Sequence, residues 1–139
     1  MTALAAEKVG SEMILHKAKR AMAASVKAWK GGLAMIDAGY VKPAVSGSGA
    51  AIFFDGVFTE TVDNTGIAGA KSVEVEFFPA KRVKLYANDG VNTCVPADRG
   101  KLAYLEDDQT VGNLSTSKTA VGRIYDVVSA GVWVELGAK

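Results

Sequence analysis

"SVEVEF", residues 72–77, alternates polar and apolar side chains without a break. Val73, Val75 and Phe77 alternate with Glu74 and Glu76, so an extended chain puts apolar groups on one face and carboxylates on the other. That is the period of a half-buried strand. Downstream, "RVKLYA" (82–87) repeats it with Val83 and Leu85. "KLAYLE" (101–106) and "AVGRIYDVV" (120–128) follow, "SAG" (129–131) separates the last pair, and "VWVEL" (132–136) closes the series. Upstream, "SVKAWK" (25–30), a Gly-Gly turn and "LAMID" (33–37) read as strand, turn, strand. "DAGY" (37–40) turns again, and "GSGAA" (47–51) is a loop leading into "AIFFDGVFTETVD" (51–63). Many short strands punctuated by Gly, Asn and Asp predict an all-β fold, a small β-barrel or jelly-roll-like sandwich.

The first thirty residues read two ways. Ala, Lys, Glu and Met favour helix by propensity, which leaves α+β as the alternative class. Gly10-Ser11 interrupts the run, and "EMILHKAKR" (12–20) has no clean 3.6-residue stripe, so an extended arm is the other reading. The expected organisation is an N-terminal arm over 1–24 and a barrel over 25–139.

The chain has 139 residues, 49% hydrophobic and 22% charged, enough for one domain with its own core. Its net charge of +1 argues against a dedicated nucleic-acid binder. The charge is uneven: residues 1–30 hold six Lys/Arg against two Asp/Glu, and the remainder ten against thirteen. A basic arm on a mildly acidic body follows. Cys94 is the only cysteine, so there is no intrachain disulfide and no cysteine-rich zinc site. No apolar run approaches membrane-spanning length, and Lys8, Glu12 and Lys17 interrupt the place a signal peptide would need. Assembly in a reducing cytoplasm is expected.

The residues offer little chemistry. Glu106, Asp107 and Asp108 lie in a row in "YLEDDQTV" (104–111). A hard cation needs six or more oxygens from several segments, and consecutive carboxylates on a strand point to opposite faces. An acidic turn is the expectation. His16 is the single histidine and sits among Lys17, Lys19 and Arg20, which depress its basicity. The loops "GSGAA" and "DNTGIAGAK" (63–71) lack the Gly-Lys-Ser/Thr ending that reaches phosphates. Asn113-Leu114-Ser115 matches a glycosylation sequon, and Cys94 reads as packed and inert. No enzyme and no cofactor are expected. Trp133 and Glu135 share the face of the last strand opposite Val132 and Val134. A tryptophan there is either core of a two-layer sandwich or an interface anchor.

The order of several small motifs resembles one family. "ETVDNTGIAGAKSVEV" (60–75) is similar to a cassette in which a strand ends in Val-Asp-Asn-Thr-Gly, crosses a Gly/Ala loop and resumes with Lys-Ser-Val-x-Val. "VPADRGKLAYLEDDQTV" (95–111) resembles the next landmark, Ala-Asp-x-Gly-Lys, a strand and Asp-Asp-Gln-Thr-Val. "AVGRIYDVVSAGVWVEL" (120–136) and "SVKAWKGGLAMIDAGYVKPA" (25–44) fit the same pattern. The family is the capsid decoration, or cement, proteins of tailed bacteriophages. Residues 50–59 are more aromatic than that pattern, and 77–89 more basic.

The resemblance implies a structural virion protein on the outer surface of an HK97-like capsid, with the phage major capsid protein as partner and neither nucleic acid nor membrane. The basic arm supplies the expected capsid contacts: Lys8, Met13, Ile14, Leu15, Lys17, Lys19, Arg20 and Met22. Trp133 and Glu135 are the expected self-association residues, in a homodimer by the frequency of two-fold pairs, with a trimer as rival. The alternative function is a small ligand- or carbohydrate-binding barrel built on Trp29, Phe53, Phe54 and Phe58.

Overall fold

The computed structural model describes residues 17–46, 52–77 and 83–137. Its regular elements there are twelve strands and one 3₁₀ turn, so the all-β expectation holds. The first seven strands are β1 (Lys17–Ala21), β2 (Val26–Ala28), β3 (Leu33–Asp37), β4 (Tyr40–Pro43), β5 (Ile52–Phe58), β6 (Val62–Asn64) and β7 (Ser72–Glu76). β8 (Val83–Asn88), the 3₁₀ turn (Pro96–Asp98), β9 (Leu102–Leu105), β10 (Thr110–Gly112), β11 (Ala120–Val128) and β12 (Gly131–Leu136) complete the chain.

The N-terminal half is an antiparallel sheet ordered β1-β7-β5-β3-β4. It curls until its edges meet. Met22, just past β1, bridges to Val41 on β4, and the Ala23 N–H donates to the Val41 carbonyl at 2.9 Å. The curl encloses Met22, Ala28, Ala34, Val41, Phe58, Val73 and Val75, and the β2–β6 ribbon adds the partly buried Val26 and Val62. Val73 and Val75 point inward as their alternation requires, and Phe77 packs partly buried against them.

The C-terminal half is a closed five-stranded barrel ordered β10-β8-β12-β11-β9. β9 and β10 pair to close it, and the β8–β10 seam is parallel. Its core holds Tyr86, Leu105, Val111, Val121, Ile124, Val132, Val134 and Leu136. The same cluster takes in Leu33, Met35, Ala44 and Val57 from the sheet. β3 is therefore buried on both faces: Leu33 and Met35 face the barrel, while Ala34 faces the other core. Each fully buried side chain of this size stabilises the fold by about 1.5–3 kcal/mol.

One bulge shapes the sheet. Ala34 pairs with Gly56 and Met35 with Phe54, which leaves Asp55 as the extra residue on β5. Gly56 has φ +154°, and a Cβ there would lie 2.3 Å from the Glu76 carbonyl oxygen. Only glycine lets β5 and β7 approach this closely.

Residues 17–22 of the arm expected over 1–24 belong to the sheet, because β1 pairs with β7 over Lys17–Ala21 and Met22 is fully buried. Propensity is a weak guide where a neighbouring strand supplies hydrogen-bond partners. Lys8, Met13, Ile14, Leu15 and His16 lie outside the described residues, as does the "GSGAA" loop.

Candidate functional site

The candidate surfaces are a groove between two turns and the outer wall of the barrel.

The first turn of the groove joins β2 to β3. The Gly32 N–H donates to the Trp29 carbonyl at 2.9 Å, and Gly31 at the third position has φ +89°, the mark of a type II turn. The Gly31 N–H reaches the Phe58 carbonyl at 2.8 Å, and the Lys30 N–H reaches Thr61 Oγ1 at 3.0 Å. The second turn is the acidic one between β9 and β10. Glu106 N–H donates to the Thr110 carbonyl at 3.0 Å, and Gln109 N–H to Asp107 Oδ1 at 2.9 Å. Asp107 thus nucleates its own turn, as expected. The Leu33 N–H donates to the Asp108 carbonyl at 2.7 Å and ties the two turns together.

The three carboxylates have three fates. Glu106 is enclosed and ion-paired to Lys118 Nζ at 2.6 Å, and the same ammonium donates to Ser46 Oγ at 2.6 Å. Asp107 is exposed at the bend. Asp108 lines the groove, where desolvation first and the charge of Asp107 second raise its pKa above the usual carboxylate range. Among the described residues no set of three His, Cys, Asp or Glu side chains is placed to hold a metal.

The groove encloses about 460 Å³ between Trp29, Lys30, Gly31, Gly32, Asp108 and Gln109. Trp29 is 54% exposed, and Lys27 Nζ sits 4.0 Å from its ring centroid. The four-aromatic cluster expected for a carbohydrate-binding barrel does not form. Phe58 is buried in the sheet's core and Phe54 packs against the barrel's, while Phe53 and Trp29 are exposed. Alternation on β5 separates Phe53 from Phe54, and the bulge at Asp55 turns Phe58 to the face opposite Phe54.

On the barrel wall, Trp133 pairs across strands with Leu85 and with Asp126. Ile124 pairs with Val134, so Tyr125 is the extra residue of a bulge. Trp133 (36% exposed) and Leu85 (39%) are cross-strand neighbours on the outer wall, and Tyr125 (65%) stands exposed at the bulge next to Asp126. Arg99 bonds Asp126 beside it at 2.9 Å. Glu135 lies opposite Arg123 on the same wall. Trp133 is therefore not sandwich core, because its strand curves around the barrel with Val132 and Val134 inside.

Of the basic residues expected on the arm, Lys17, Lys19 and Arg20 are strand residues of β1. Arg20 is committed internally, with Nε and Nη2 each 3.1 Å from a carboxylate oxygen of Asp55. Lys19 bonds Glu60 at 2.7 Å and Lys17 lies 3.8 Å from Glu74, with both lysines exposed. Met22, grouped with them as a contact residue, is core.

Some structural polar residues gave no signal in the sequence. Asp98 accepts from the Val95 N–H at 2.9 Å and from Asn113 Nδ2 at 3.2 Å. These bonds hold its carboxyl below the usual range. The sequon residue Asn113 is thereby occupied in a structural network. Asn64 is buried and spans the 63–71 loop, donating to the Ala23 and Ile67 carbonyls at 2.8 and 3.2 Å. Cys94 is buried, and that burial, followed by the charges of Asp98, Asp89 and Glu106, pushes its thiol up to about 11. Comparison with protein-family models, curated proteins and solved structures returned no significant match.

Proposed function

We propose that this chain is a structural virion protein that binds the outer surface of an HK97-like phage capsid and cements neighbouring major capsid subunits against internal DNA pressure. The observation that carries the reading is that the large apolar side chains Trp133, Leu85 and Tyr125 stand exposed on the wall of a closed barrel, a face suited to protein contact and here to pairing with a second copy on the shell. Large apolar side chains on a convex, rigid wall fit a protein partner better than a small ligand, which needs concavity. The motif order supports it too: residues 60–75 run from β6 to β7, 95–111 through the 3₁₀ turn to β10, and 120–136 along β11 and β12.

In this reading Trp133 and Glu135 serve self-association and residues before β1 reach the shell. Binding only the assembled shell stabilises it by RT ln(1 + [L]/Kd) at every site. Many sites per particle multiply modest contacts. β1 is held in the sheet by β7 and carries the exposed Lys17 and Lys19. Cosedimentation with capsids assembled without this protein tests the proposal. The full chain should pellet with expanded capsids and a variant lacking residues 2–16 should not. Failure of the full chain to pellet overturns the function; equal pelleting by the truncated chain moves the contact to the barrel wall.

A further inference from the structure

We propose that the groove between the Trp29–Gly32 turn and the Asp108–Gln109 turn is a saccharide-binding site, separate from the protein-contact wall around Trp133. The groove holds about 460 Å³, inside the roughly 300–1,000 Å³ of small-ligand sites. Its lining combines one indole, one ammonium, one carboxylate and one carboxamide with two glycines.

The charge pattern selects the ligand class. Lys30 lines the groove and Lys27 braces the indole, so a cationic ligand meets two like charges. Asp108 opposes an anion. A neutral polyol meets neither penalty. Its hydroxyls can donate to Asp108 and the Gln109 carbonyl oxygen, and accept from Lys30 and the Gln109 amide. A pyranose also has an apolar C–H face, and although Lys27 caps one face of the Trp29 ring, the indole is still more than half exposed. A flat ring with a polar rim is what such a ligand stacks on.

The site is pre-formed. The Gly31, Gly32 and Leu33 amides are each bonded, to Phe58, Trp29 and Asp108 carbonyls at 2.8, 2.9 and 2.7 Å, so both turns hold their geometry without ligand and little ordering remains to be lost on binding. Gly32 keeps the floor low: a Cβ there would lie 3.1 Å from the Trp29 carbonyl oxygen and 3.5 Å from Asp108 Oδ2. The carboxylate of Asp108 is partly desolvated and lies beside the charge of Asp107, so a ligand hydroxyl donating to it would stabilise its charged form.

The test is titration of the labelled full-length protein with lactose, cellobiose, chitobiose and mannobiose, followed by amide and indole NMR shifts. Saturable shifts confined to the Trp29 indole, Gly31, Gly32 and Gln109 are expected with at least one disaccharide, with millimolar affinity. Trp29→Ala should abolish them. Asp108→Asn should weaken binding about tenfold, which is ~1.4 kcal/mol, while leaving the remaining amide spectrum in place as proof of folding. No saturable shift with any disaccharide overturns the proposal. So does saturation of the same resonances by arginine amide or phosphate in place of sugar. Capsid cosedimentation is a separate measurement, so loss of sugar binding and loss of capsid binding are distinguishable.

Discussion

Arg20 on β1 reaches across the intervening strand β7 to hold Asp55 on β5 with two hydrogen bonds of 3.1 Å each. The guanidinium also lies 4.9 Å from the Phe77 ring centroid. Asp55 is the bulged residue of β5 and its side chain is only 6% exposed, against 38% for Arg20. One pair thus ties the edge strand to the bulge that sets the curvature of the sheet.

Removing that arginine strands a nearly buried carboxylate. Arg20→Ala should cost about 2 kcal/mol, between the ~3–5 of a fully buried pair and the ~0–1 of an exposed one. Arg20→Lys should recover less than half, since a lysine lacks the planar fork. Urea unfolding with an unchanged m value reads this directly. A loss within ~0.5 kcal/mol for Arg20→Ala would mean the pair is a surface contact.

Strand β1 sets the limit of N-terminal truncation. A chain lacking residues 2–16 should melt within a few degrees of the full protein. Removing 2–21 deletes β1, the Arg20–Asp55 pair and the support of Met22, and should unfold the sheet half. Thermal melts followed by circular dichroism compare them, and equal melting of the longer truncation would show that β1 is dispensable.

Tyr86 Oη is buried and, among the described side chains, has no hydrogen-bond partner. Burial pushes its pKa far up. A stranded hydroxyl costs about 1–3 kcal/mol, so Tyr86→Phe should raise stability by about 1 kcal/mol. A loss of similar size would reveal a bond to an ordered water.

Two carboxylates give opposite pH signatures. Asp98 has a folded pKa below its ordinary value of 3.8, so its stabilisation is present above the unfolded pKa and is lost as pH falls through the folded one. Asp98→Asn should flatten the acid limb of the stability profile. Asp108 has a folded pKa above 3.8; the folded state there binds a proton more readily, and its charged form destabilises above that pKa. Asp108→Asn should therefore increase stability at neutral pH. Denaturant midpoints from pH 2 to 8 measure both, and parallel profiles for the two variants would contradict the assignment.

The proposed pairing through the barrel wall predicts that Trp133→Ala lowers the sedimenting mass with little change in melting, because the side chain stands outside the barrel. Glu135→Lys should act in the same direction by charge reversal. Sedimentation of both variants against the parent decides it; an unchanged mass distribution places any self-contact elsewhere.

What the sequence determined by itself was the strand character of 72–77, 101–106, 120–128 and 132–136, because one face of each meets a core and water takes the other. The local acidic turn was equally legible, since Asp107 closes it with a backbone amide two residues on. Strand β1 was not, because "KAKRA" carries no apolar alternation: its pairing comes from β7, more than fifty residues away. Phe54 and Phe58, four residues apart on β5, gave no sign of their separation, which depends on the bulge at Asp55 between two cores on opposite faces of one sheet. The groove was invisible for the same reason. Trp29 and Asp108 are far apart in sequence, and only the packing of sheet against barrel, fixed by the Leu33 amide on the Asp108 carbonyl, sets them along one wall.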